Sequence, residues 1–125
     1  MIISPYLFFG GNCKEAVAHY ERAFGTEAYI GYSEAKPHLV EHAQIAMGGI
    51  TIMFCDWDWE GTYNKGHDFM TSIGFNEPDK SMIQTAFNIL AEGGEIVIPL
   101  KESEWNSFSG TVRDKYGFRW NFHQI

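Results

Sequence analysis

Charge is scarce and one-sided in this sequence: 20% of its 125 residues are Asp, Glu, Lys or Arg, with a balance of −7. So few basic side chains exclude a nucleic-acid surface, which replaces counterions with clustered Lys and Arg. Cysteine is nearly missing too. Cys13 and Cys55 make no disulfide framework, so the expected compartment is reducing and the expected location cytoplasmic. No apolar run approaches the roughly 18 residues that cross a bilayer. The first residues lack the basic region and cleavage site of a secretory leader. Neither a nucleic-acid nor a membrane partner is expected. What is plentiful is apolar and aromatic, 45% and 16% of the chain. That excludes general disorder, and the length predicts a single domain, 1–125, able to bury a core without staples.

Met1 to Phe9 reads as a short buried strand closed by Gly10 and Gly11. Asn12 then reads as a helix N-cap with Glu15 completing a capping box, and Gly25 as the left-handed stop. Between them, Cys13, Ala16, Val17, Tyr20, Ala23 and Phe24 share one helical face. Glu27 to Ser33 is a second strand. From His42 to Cys55, alternating segments flank Gly48-Gly49, the signature of a two-residue hairpin. Pairing about that turn sets Met47 against Ile50, Ile45 against Ile52 and Ala43 against Phe54, one apolar face. The other face carries His42, Gln44, Thr51, Met53 and Cys55, a mixed surface suited to a ligand cavity.

The rest repeats the plan. Asp68 to Phe75 is a strand, and Pro78-Asp79 opens a helix with Met82, Ile83, Ala86, Phe87 and Leu90 inward and Gly93-Gly94 at its end. Glu95 to Leu100 is a strand, and Phe108 to Arg113 and Phe118 to Gln124 form a last hairpin. Element order recurs at an offset of 66 residues along the helices and 68 from the helix-ending glycines onward. The expected fold is α+β. Two βαβββ modules, 1–60 and 61–125, form curved mixed sheets in a half-open barrel with helices outside.

The residues that carry a family likeness are Pro5-Tyr6, Gly11-Asn12, Glu15-Ala16, His42-Ala43 and Gly48 through Asp56. Glu102 to Trp105 and Val112 to Trp120 continue it. Taken in order, they make the chain resemble the PhnB-like branch of the vicinal-oxygen-chelate superfamily of glyoxalases, bleomycin-resistance proteins and extradiol dioxygenases. The resemblance implies the duplicated βαβββ fold and pairing into homodimers. Members often carry an inherited ubiquinone-pathway methyltransferase label, but nothing in this sequence makes a methyl-donor site. In metal-using members four His, Glu or Gln ligands stand on strands, and here those positions fall on Pro5, Met53, Met70 and Asn121. Such donors do not suit a divalent cation. No metal and no other cofactor is expected.

On the last strand Phe118, Trp120 and Phe122 alternate with Arg119, Asn121 and His123. With Trp120 under a helix, the polar trio joins Thr111 and Arg113 on the open face. The expected ligand-binding set is His42, Gln44, Met53, Cys55, Trp105, Arg119, Asn121 and His123, with Trp57, Trp59 and Trp105 at a pocket mouth or a dimer interface. A small polar or anionic organic molecule is the expected partner. The catalytic candidates are His42 with Asp56 as an acid–base pair, Asp56 alternatively capping a turn, and Cys55 is a weaker nucleophile candidate. His19 and His67 read as a solvated helix face and a strand edge. Four activities remain open: ligand sequestration or carriage; a lyase, isomerase or transferase using His42 and Asp56; a metal-dependent lyase or dioxygenase; and an interaction module.

Overall fold

Gly48 and Gly49 take φ angles of 57° and 80°, the left-handed pair that a primed two-residue turn requires. That turn fixes the register of β3 (Val40–Met47) and β4 (Ile50–Asp56), which pair from Met47↔Ile50 to Ala43↔Phe54, as the sequence predicts. The computed structural model describes residues 1–57, 66, 68–76, 80–102 and 108–125. The expectations for Trp59, His67, Pro78-Asp79 and Trp105 lie outside those residues. Contacts divide the chain into two units, Met1–Asn64 and Lys65–Ile125.

In the first unit β1 (Tyr6–Phe9), α1 (Cys13–Phe24) and β2 (Tyr29–Tyr32) precede the hairpin, and the sheet order is β1-β4-β3-β2. β1 runs parallel to β4; the other pairs are antiparallel. Leu7, Phe9, Ala43, Ile45, Ile52 and Phe54 form the buried sheet face. α1 covers it with Val17, Tyr20 and Ala23, and the rings of Tyr20 and Phe54 stack at 5.3 Å. Each fully buried Val, Leu, Ile or Phe among them stabilises by about 1.5–3 kcal/mol relative to exposure. α1 ends as expected at Gly25, φ 63°, whose N–H donates to Glu21 O at 2.9 Å.

The second unit repeats the order. β5 (Thr71–Phe75), α2 (Lys80–Ala91), β6 (Glu95–Lys101), β7 (Ser109–Arg113) and β8 (Arg119–Gln124) give a sheet ordered β5-β8-β7-β6, again with one parallel pair, β5 with β8. Ile83, Ala86, Phe87 and Leu90 of α2 are buried, as are Val112, Trp120 and Phe122 of the sheet that α2 packs on. The α+β fold of two βαβββ modules is therefore present. Among the described residues no helix is long and apolar enough to cross a membrane.

Four local expectations need correction. The first strand starts at Tyr6 rather than Met1, leaving Met1, Ile2 and Ile3 exposed, because the parallel ladder to β4 begins where Pro5 O accepts from Met53 N. β5 likewise starts at Thr71, with Phe69 and Met70 exposed before it. Met82 is half-exposed at 49% because it lies at the edge of the stripe defined by Ile83, Ala86, Phe87 and Leu90. His19, expected in solvent, is buried at 4% because it lies three residues after Ala16 and four before Ala23, on the flank of the packed face.

Candidate functional site

The pleat that sends Leu7 and Phe9 into the core sends Tyr6 and Phe8 to the opposite face of the first sheet. Tyr6 pairs with Met53, Met53 with Gln44, and Phe8 with Cys55, so these side chains and His42 share that face. A hydrogen-bond chain joins four of them. Tyr6 Oη lies 2.9 Å from His42 Nδ1, and His42 Nε2 lies 3.0 Å from Gln44 Oε1. An amide oxygen only accepts, so Nε2 carries the ring hydrogen and Nδ1 of the neutral imidazole accepts from the Tyr6 hydroxyl. Tyr6 also hydrogen-bonds Cys55.

The phenol and the thiol are held neutral. Burial pushes the Tyr6 phenol up, with Cys55 adding to it. Burial pushes the Cys55 thiol up as well; the Tyr6 hydroxyl partly opposes this and the Asp56 carboxylate reinforces it. A thiol so placed is not an activated nucleophile. Tyr6 and Cys55 open onto a groove of ≈ 510 Å³ with Phe8, Lys36, Leu39 and Trp57 also on its walls. Phe8 stacks on Tyr6 at 5.1 Å and meets Trp57 edge-on at 5.3 Å, making an aromatic wall. His42, Gln44 and Met53 do not line this groove; His42 reaches it through Tyr6.

Asp56 does not pair with His42, which corrects the acid–base expectation. Its Oδ1 accepts from Gly11 N at 2.8 Å and Cys13 N at 3.0 Å, and its Oδ2 accepts from Val40 N at 2.9 Å. It thus caps α1 from the end of β4, while Asn12 makes no side-chain cap bond, so the expected capping box is absent. The cause is local: Asn12 sits at φ −110°, ψ 21°, not the extended conformation of a side-chain cap.

In the second module Trp120 is fully buried, so the open face carries Arg119, Asn121 and His123. Asn121 is spent on structure: Oδ1 accepts from Ser72 Oγ at 3.0 Å, and Nδ2 donates to Gly110 O at 3.1 Å and Thr111 Oγ1 at 3.2 Å. His123 Nδ1 lies 3.3 Å from Ser72 Oγ. The Ser72 proton goes to Asn121, so His123 donates to Ser72 and its Nε2 is left as an acceptor.

The registers also revise the ion-holding positions. Tyr6 is the partner of Met53 and Ser72 the partner of Asn121, so those two, not Pro5 and Met70, share their face. Phenol, thioether, hydroxyl and amide do not fit a divalent cation. Among the described residues, no three His, Cys, Asp or Glu side chains group as such a site needs. Tyr6 and Ser72 were not foreseen as site residues. The signal for Tyr6 was present, since Leu7 and Phe9 alternate against it, but nothing in the sequence phases a strand that pairs only in parallel.

Comparison with known proteins bears on the same chain. A sequence model described as the Glyoxalase/Bleomycin resistance protein/Dioxygenase superfamily matches residues 2–122. Protein YjdN of Escherichia coli K12 is 29% identical over 145 aligned positions, covering 100% of this chain and 96% of its own. The solved PhnB protein from Bacillus cereus superposes with a TM-score of 0.81 at 23% identity over 100% of both chains. Protein PA1353 from Pseudomonas aeruginosa superposes at 0.77, with 28% identity over 99% of this chain and 97% of that one.

Proposed function

Because the chain belongs to the Glyoxalase/Bleomycin resistance protein/Dioxygenase superfamily and is PhnB-like, we propose that it binds a small polar or anionic organic molecule without a metal. The observation that carries this is the hydrogen-bond chain Cys55–Tyr6–His42–Gln44, its thiol and phenol neutral, opening beside an aromatic wall. Apolar walls with a few fixed polar groups are what a small-molecule site needs. Phe8 and Trp57 supply area, the Tyr6 oxygen a hydrogen-bonding point, and the Lys36 ammonium a counter-charge for an anion.

Thermal melts against a panel of small carboxylates, phosphates and neutral polar molecules test this. A ligand at about a hundred times its Kd adds about 2.7 kcal/mol, several degrees in Tm for a chain of this size. Tyr6→Phe keeps the ring but removes the hydroxyl, so the shift is expected to shrink or vanish. No hit across the panel, or an unchanged shift in Tyr6→Phe, overturns the proposal.

One contact favours a second reading, an acid–base enzyme. The Tyr6 hydroxyl, 2.9 Å from His42 Nδ1, is the arrangement in which an imidazole takes a phenol proton as the phenol takes one from a substrate. Tyr6 replaces Asp56 as the partner of His42 in that scheme. His42→Ala would then abolish turnover and leave binding largely intact.

A further inference from the structure

β6 is the outer strand of the second sheet, with β7 on one side and, among the described residues, no strand on the other. Three successive apolar side chains on it, Ile96, Val97 and Ile98, are 51%, 45% and 49% exposed. A bare apolar edge of this kind is a template for another strand, and natural edges are guarded by charge and by proline. β6 carries both guards. Glu95 and Lys101 stand at its ends, and Pro99 lies between Ile98 and Lys101, where the register with β7 shifts. The two charges are of opposite sign, however. Arg113 is the cross-strand neighbour of Glu95 on the inner side, yet among the described residues neither Glu95 nor Lys101 forms an ion pair. Charges so arranged do not repel every incoming strand; they select one direction.

The sequence of β6, Glu-Ile-Val-Ile-Pro-Leu-Lys, complements itself when reversed. About a two-fold axis through Ile98, Glu95 meets Lys101 of the partner subunit, Ile96 meets Leu100 of the partner subunit, and Ile98 meets its own copy. A parallel approach in register would instead set Glu95 against Glu95 and Lys101 against Lys101, which is unfavourable. We propose that β6 pairs antiparallel with β6 of a second copy of this chain. The apolar side chains close on one another, and a Glu95–Lys101 pair flanks them at each end. Such an interface uses the same patch on both chains, the commonest arrangement in soluble homo-oligomers. The matching outer strand of the first unit does not offer this, because β2 (Tyr29–Tyr32) has only four residues and no charge to set a direction. Pro99 lacks an N–H, so the ladder between copies is incomplete, and the pairing is expected to be reversible. It uses no residue of the Tyr6 groove and is therefore independent of ligand binding.

Sedimentation velocity of the full chain across a dilution series reads the association directly. The assembly is expected to dissociate on dilution. In nuclear magnetic resonance spectra of the unaltered protein, the backbone amides of Ile96, Val97, Ile98 and Lys101 are expected to shift with concentration. Ile98→Lys puts two ammonium groups on the axis and is expected to halve the number of chains in the assembly. The Ile98 side chain is half-exposed, so the fold should persist, which circular dichroism checks. Lys101→Glu sets like charges against each other at both ends and is expected to weaken association by at least about tenfold. Adding Glu95→Lys to it restores opposite charges and is expected to recover the loss. A chain that stays monomeric at the highest attainable concentration overturns the proposal. So does an assembly whose size Ile98→Lys leaves unchanged, β6 amides that ignore concentration, or a folded double variant that associates no better than Lys101→Glu.

Discussion

Cys13 shows how one side chain can work against its own position. It is the first residue of α1, where a helix N-terminus favours an anion and lowers a thiol pKa. Here the opposite effect wins. The side chain is fully buried, Asp56 already occupies the helix end, and burial, then the Asp56 carboxylate, then Cys55, push the thiol up to about 12. The native state therefore keeps a proton that the unfolded chain releases above the ordinary thiol value of about 9. The stabilisation is complete below that value and is lost as pH climbs from about 9 toward about 12, with a slope of up to about 1.4 kcal/mol per pH unit. Urea denaturation at a series of alkaline pH values should show stability falling along this window. Cys13→Ala should be less stable at neutral pH, from the lost volume, but have a shallower slope, since Tyr6 and Cys55 still contribute in the same direction. Identical slopes in the two proteins would rule out Cys13 as the source.

At the scale of elements, Asp56 joins three segments that the sequence separates. Its carboxylate receives N–H groups from the turn before α1, from the first residue of α1 and from the start of β3. Asp56→Ala should cost about 2–3 kcal/mol, above an ordinary cap, because it orphans several donors and one of them opens a helix. A urea midpoint shifted with unchanged m would show it, and a change under about 0.5 kcal/mol would mean water replaces the carboxylate. The contrast with the β3–β4 hairpin explains what was legible. There the glycine turn and the period of two act over a few neighbouring residues and fix every pair. The cap links Asp56 to Gly11, 45 positions away, and no local pattern marks which carboxylate will arrive there. Asn12 had the right chemistry in the right place, yet its backbone conformation gave the role to a residue from another strand. The same distance effect hid the Tyr6–His42 contact, 36 residues apart, and left His42 assigned to the wrong partner.

For the whole molecule, the duplication was legible because glycines at equivalent turns keep φ positive in both halves, at Gly25 and Gly93 and again at Gly49 and Gly117. The phase of β1 and β5 was not, since each is a short strand paired only in parallel, with no turn to set its register. Correcting that phase changes the residues that could hold an ion without making a better site. Tyr6 for Pro5 adds a phenol held neutral by burial, and Ser72 for Met70 exchanges a thioether for a hydroxyl already donated to Asn121. Histidine stands one pleat away in each module, but His42 is bound through both ring nitrogens and His123 through Nδ1. Drawing His42 onto a cation would cost at least one of its hydrogen bonds to gain one bond in an incomplete shell, whereas affinity for Mn, Fe, Ni or Zn needs several carboxylate or imidazole donors together. Protein prepared without a histidine tag is therefore expected to carry none of these metals stoichiometrically by elemental analysis. Chelator should leave its Tm unchanged, and added Mn(II) or Ni(II) should not raise it. A rise of several degrees on adding either ion, abolished by His42→Ala or His123→Ala, would mean that these imidazoles leave their present partners to bind it.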